Sequence, residues 1–154
     1  MNPISSELNH FNLRIYGVYI ENGHLLLSDE FRFGRKMTKL PGGGLEFGEG
    51  IADALRREWM EELQTKIEVG EVLYVNPFLQ ISSFNPKDQV ICLYFRVYLL
   101  ESLQVEMSER AYDFPLNGED QQSFRWKKLV EISEEDFTFP IDKAALKIIK
   151  TLQD

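Results

Sequence analysis

Apolar positions along the chain keep two rhythms. Leu13-Arg14-Ile15-Tyr16-Gly17-Val18-Tyr19-Ile20 and Leu25-Leu26-Leu27 are rich in strand formers and flank Glu21-Asn22-Gly23-His24. An Asn-Gly pair between two such runs predicts a β-hairpin. From Ile51 to about Gln64 there is no Gly or Pro, and Ile51, Ala52, Leu55, Trp59 and Leu63 recur at helical spacing. Gly50 is placed to cap that helix. Ile67 to Leu79 and Gln89 to Leu100 carry β-branched and aromatic residues around the turn former Asn85-Pro86, which predicts two long neighbouring strands. A short strand, Ser123 to Trp126, and a helix from about Asp142 to Leu152 burying Ala145, Leu146 and Ile149 close the chain. Between these elements, Asp29 to Gly50 is so rich in charge and glycine that it reads as irregular loop.

Composition narrows the picture without redirecting it. With 154 residues, 44% hydrophobic and 27% charged, the sequence suits one domain over 1–154 that folds without disulfides. Cys92 lies in the apolar run Val90 to Phe95 and reads as a small buried hydrophobe. Met1 to Glu7 has no basic start and no apolar stretch, and no run is long enough to span a bilayer, so the expected location is the cytoplasm. The net charge of −8 repels polyanions, so neither a nucleic-acid polymer nor an anionic membrane is an expected partner. A small phosphorylated ligand fits only if cations bridge it to the protein.

The first helix supplies a reason for such cations. Glu58, Glu61 and Glu62 fall within an arc of roughly 100° on its surface, with Glu62 at the edge of the apolar stripe. Glu58 and Glu62 form a repulsive i,i+4 pair that no Lys or Arg bridges. A solvated acidic face is the ordinary reading of such a cluster. A hard divalent cation, bound through carboxylates and leaving positions for substrate phosphates, is the sharper one. Arg57, beside Glu58 and one turn before Glu61, is placed to pair with an acid. Glu49 precedes the helix, and Gly42-Gly43-Gly44 lets backbone approach a ligand closely.

Taken together, Gly43-x5-Glu49-x7-Arg57-Glu58-Trp59-x-Glu61-Glu62 resembles the Nudix box, G-x5-E-x7-R-E-U-x-E-E-x-G-U, where U is a bulky apolar residue. Seven of nine specified positions match, including every glutamate and the arginine. Gln64 and Thr65 depart from the Gly and apolar residue that close the pattern. Gly suits a left-handed helix cap, so Gln64 implies a strained or differently built end. Leu40-Pro41-Gly42-Gly43-Gly44 and Phe124-Arg125-Trp126 followed by Leu129-Val130 extend the resemblance over most of the chain.

The resemblance implies an α/β fold, a Nudix-type α/β/α sandwich with a mixed β-sheet between helices. It implies Mg²⁺ or Mn²⁺ held by Glu58, Glu61, Glu62 and the carbonyl of Gly43, with Glu49 and Arg57 fixing loop to helix. The implied reaction is attack of water on a phosphorus of a nucleoside diphosphate linked to another moiety. Relatives take the general base either from the position of Glu58 or from a loop outside the box, where Glu119 and Asp120 are the candidates. Arg32, Arg35, Lys36 and Lys39 are candidates to bind substrate phosphates, and Phe31, Phe33 and Phe78 to stack on a base. A homodimer is compatible with all of this. The rival readings are a non-hydrolytic nucleotide sensor, disfavoured by the intact carboxylates, and a prenyl diphosphate isomerase, disfavoured by the mid-strand position of Cys92.

Overall fold

The computed structural model describes residues 7–154; the absence of a leader pattern over residues 1–6 lies outside the described residues. Nine strands and two α-helices follow in the order β1 His10–Val18, β2 Ile20–Glu21, β3 His24–Arg32, β4 Arg35–Lys39, β5 Gly42–Gly44, α1 Ile51–Leu63, β6 Ile67–Val75, β7 Asp88–Leu99, β8 Met107–Ser108, β9 Gln121–Lys128 and α2 Pro140–Ile149. They build two mixed sheets rather than one. The first runs β5-β1-β7-β6, with β1 and β7 parallel; the second runs β2-β3-β9-β8, with β4 also paired to β3. The Asn22-Gly23 hairpin forms, but between β2 and β3. The first apolar run, β1, instead pairs with β5 and β7.

The helices lie on opposite sides of the two sheets. Ile15, Leu26, Val97 and Phe124 pack with Ala54, Leu55, Trp59 and Leu63 of α1. Their strand neighbours Tyr16, Leu25, Leu27 and Tyr94 pack with Ile141, Ala145, Leu146 and Ile149 of α2. Successive strand residues point to opposite faces, so both sheets feed both cores and together form the middle layer of an α/β/α sandwich. Gly17 is on the α1 side, where an added Cβ would lie 2.6 Å from Trp59 Nε1.

The stretch Asp29 to Gly50 is largely strand, not loop. Its buried charges, Asp29, Glu30 and Lys39, are neutralised by protein groups rather than by water. Asp29 is fully buried, accepting from Arg125 Nε at 2.6 Å and from Thr38 Oγ1 at 2.7 Å. Glu30 accepts from Arg32 Nε at 2.6 Å and faces Lys39 Nζ at 3.3 Å. Arg125, 96 residues from Asp29, is invisible to a window-by-window reading.

At the end of α1, Gln64 takes the left-handed conformation, with φ 52°, and its N–H reaches Met60 O at 3.0 Å. The cap that Gly normally supplies is therefore made by a residue carrying a Cβ, at a cost of roughly 1 kcal/mol. Thr65 is buried and donates its hydroxyl to Leu63 O at 2.7 Å, which satisfies a polar side chain where the pattern has an apolar one. Cys92 is buried in β7, and burial pushes its thiol up to about 12.

Candidate active site

Gly43, in edge strand β5, lies against α1. A Cβ built on it would stand 2.4 Å from the carboxyl carbon of Glu58, so only glycine leaves that carboxylate room. The chain then loops to Glu49, and Arg57 ties the loop back to the helix. Arg57 donates through Nε and Nη2 to the two oxygens of Glu49 at 2.9 and 2.8 Å, and through Nη2 to Gly44 O at 3.0 Å. Its Nη1 reaches Glu58 Oε1 at 3.0 Å and Glu61 Oε2 at 3.4 Å. The hydrogen bonds from Arg57, together with the backbone N–H of Glu46, hold Glu49 down to about 2. Such a forked, charge-assisted clamp fixes orientation as well as charge.

Glu62 has a different setting. It faces inward, and its Oε2 is buried without a hydrogen-bond partner among the described residues. Burial, then the negative charge of Glu30, pushes its carboxyl up to about 7, against a smaller opposing pull from Lys39. It borders a polar cavity of about 400 Å³ that also meets Glu106, Asp113, Gln122 and Ser123. Ser123 Oγ is likewise buried without a partner. Among the described residues no three acidic, imidazole or thiol groups converge as a ligand cluster, since Glu58 and Glu61 lean on Arg57. The donors themselves fit a hard divalent ion. They are carboxylate oxygens beside a side-chain-free carbonyl strand, and one of them, Glu62 Oε2, is buried with no hydrogen-bond partner among the described residues.

The loop acids divide. Asp120 Oδ2 stands 3.8 Å from Arg32 Nη1, at the rim of the Glu30 network. The backbone N–H of Glu119 bonds Asn117 Oδ1, and the Glu119 side chain makes no ion pair among the described residues. The acids that share a cavity with Glu62 are Glu106 and Asp113, which carried no motif in the sequence.

The four candidate cations are all engaged with protein groups. Arg32 and Lys39 neutralise Glu30. Arg35 donates to Ser83 O at 3.4 Å and lies 4.8 Å above the ring of Phe84. Lys36 lies 5.2 Å over Tyr112. Arg32 and Lys39 also line a second cavity, of about 190 Å³, walled by Phe33, Phe84 and Phe139 and floored by Asp142. Of the three aromatics singled out in the sequence, only Phe33 borders it. Tyr94 donates its hydroxyl to Asp142 Oδ1, and burial pushes that carboxyl up to about 6. Sequence reading missed Glu30, Arg14, Tyr94 and Asp142. A charged residue in phase with the buried positions of a strand, as Arg14 is with Tyr16 and Val18, is the signal that could have found the second of these.

The family model described as NUDIX domain matches residues 10–148. The chain belongs to the Nudix family. Solved Nudix structures carry the same fold at low identity. The E. coli ORF135 protein superposes with a TM-score of 0.69 at 19% identity, covering 92% of this chain and 90% of that one. A MutT Nudix hydrolase from Burkholderia pseudomallei gives 0.69 at 17%, covering 91% and 98%. An ADP-ribose pyrophosphatase from Streptococcus suis gives 0.53 at 17%, covering 91% and 90%. At such identities the likeness establishes the fold of this Nudix chain.

Proposed function

We propose that this chain is a single-domain, cytoplasmic hydrolase that cleaves the diphosphate linkage of a nucleoside diphosphate joined to another moiety, in the presence of Mg²⁺ or Mn²⁺. The candidate substrates are nucleotide sugars, ADP-ribose, dinucleoside polyphosphates and nucleoside triphosphates. The observation that carries the reading is the buried, unpartnered Oε2 of Glu62 beside the Gly43 and Glu58 cradle. The Glu62 carboxylate is met only in part by Lys39, and a bound metal cation would complete the match.

In this reading Glu58, Glu61, Glu62 and Gly43 O hold the metal. When bound, the cation neutralises the diphosphate and lowers the pKa of water. Arg57 keeps Glu49 and Gly44 O locked to α1, so the strand that carries Gly43 is held beside the carboxylates of α1. A carboxylate oxygen of Glu58, or of Glu119 or Asp120 from the loop before β9, takes the proton of the attacking water. Arg32 and Lys39, which line the 190 Å³ cavity, and Arg35 and Lys36 outside it are the candidate cations for the phosphates, and the aromatic walls of that cavity would accommodate the organic group. The assembly is compatible with a monomer or a homodimer.

A substrate panel with Mg²⁺ or Mn²⁺ tests this, with Glu61→Gln as control. Release of phosphorylated product by wild type alone supports hydrolysis. Equal background rates for both proteins, with nucleotide still bound, would turn the reading toward a non-hydrolytic sensor.

A further inference from the structure

Arg14 is set apart from Arg32 and Lys39, the other cations that line the aromatic cavity. It occupies β1 opposite Gly44 of β5, with its side chain on the Tyr16 side of the strand. Its Nε donates to Tyr16 Oη at 3.1 Å, and its guanidinium carbon lies 5.9 Å from that ring. It makes no ion pair, and its Nη1 and Nη2 have no hydrogen-bond partner among the described residues. Arg32 and Lys39, by contrast, share the carboxylate of Glu30. A half-buried guanidinium held through Nε alone, with no ion pair, presents its two remaining nitrogens to an incoming anion.

Its position says which anion. Arg14 lines the 190 Å³ aromatic cavity. Its Nη1 also lies 3.5 Å from where a Cβ of Gly44 would be, whereas the neighbouring Gly43 faces Glu58. Successive residues of a strand point to opposite sides, so Arg14 and Glu58 flank edge strand β5 from either side. Gly43 and Gly44 carry only hydrogens, so neither places a side chain between Arg14 and Glu58. A substrate lying across this edge would set its organic group among Phe33, Phe84 and Phe139 and its diphosphate at α1. The group passing Arg14 is then the phosphoryl next to the organic part, and a planar fork suits two of its oxygens.

Resting on the hydrolase reading above, we propose that Arg14 binds the phosphoryl group nearest the substrate's organic moiety and so positions the diphosphate for the box. It is a substrate-binding residue outside the box, at the neck between cavity and carboxylates.

The test uses the whole protein in EDTA, titrated calorimetrically with AMP, GMP, CMP and UMP, with the four nucleosides, and with inorganic pyrophosphate. For wild type, at least one nucleotide should bind tighter than its nucleoside by roughly 10- to 100-fold. Arg14→Gln should abolish that preference and weaken pyrophosphate similarly, while nucleoside affinity stays within about twofold. Arg14→Lys, which keeps charge but not the fork, should fall between; if the glutamine variant does not fold, Lys must still lower the preference at least about threefold. An unchanged nucleotide-to-nucleoside ratio and unchanged pyrophosphate affinity in the variants would overturn the proposal. The two readings fail separately. Hydrolysis with no Arg14 dependence of binding defeats only the role of Arg14, whereas Arg14-dependent pyrophosphate binding without hydrolysis defeats only the enzymatic reading.

Discussion

Glu30 and Glu62 are two carboxylates turned into the same region, one from β3 and one from α1, and they are treated oppositely. Glu30 is almost wholly buried, yet Lys39 and Arg32 outweigh the effect of burial and hold its carboxyl below the usual carboxylate range. Glu62 is pushed up to about 7, because burial and the neighbouring Glu30 act on it with too little positive charge in return. The cations that could have served Glu62 are already taken by Glu30. The first carboxylate is therefore a structural element, complete within the protein. The second is left incomplete, and a bound cation would complete it.

This contrast is open to direct attack. Glu62→Gln should lower kcat/KM by about 10³-fold or more, the scale expected when a metal-supported step loses a ligand, and leave thermal stability unchanged or raised. A comparable loss of stability with activity intact would place Glu62 in the structural class. Glu30→Gln should do the reverse, costing about 3 kcal/mol in chemical denaturation because Lys39 is left buried without its charge partner. Replacing both, as Glu30→Leu with Lys39→Met, should recover most of that loss.

Gly43→Ala tests the cradle that Gly43 makes for Glu58. The new methyl would meet only the end of the flexible Glu58 side chain. Activity should fall roughly 10-fold or more as that carboxylate is displaced, while stability changes by less than about 1 kcal/mol. An unfolded variant would show that the cradle is structural.

Asp142 sharpens the comparison from the other helix. It is buried, receives a hydrogen bond from neutral Tyr94, and titrates at about 6 in place of its ordinary 3.8. The folded state holds its proton more tightly than the unfolded chain. Its contribution to stability is thus complete below about pH 4 and is lost as pH rises through about 6. Asp142→Asn should flatten the stability profile over that window by an amount of order 2 kcal/mol. A wild-type profile that rises with pH there, unaltered by Asp142→Asn, would contradict this placement.

The box was legible because its chemistry is local. Gly43, Glu49, Arg57, Glu58, Glu61 and Glu62 lie within a loop and one helix, where spacing translates directly into geometry. Even the inward setting of Glu62 follows from its place at the edge of the apolar stripe. The residues around the box were not legible, for a physical reason. Asp29 and Glu30 look like loop charges until Arg125 and Lys39 are brought across the sheet. Arg14 acquires meaning only opposite Gly44. The period-2 pattern of β1 is also the same whether it pairs with β3, as the hairpin reading had it, or with β5 and β7, as it does.

The most direct measurement is the affinity of the protein for Mn²⁺, followed by electron paramagnetic resonance of free ion, in wild type and Glu62→Gln. The account predicts binding by wild type that weakens at least about tenfold in the variant, the loss of one charged ligand being worth 1.4 kcal/mol or more. Equal affinity in the two proteins would contradict it.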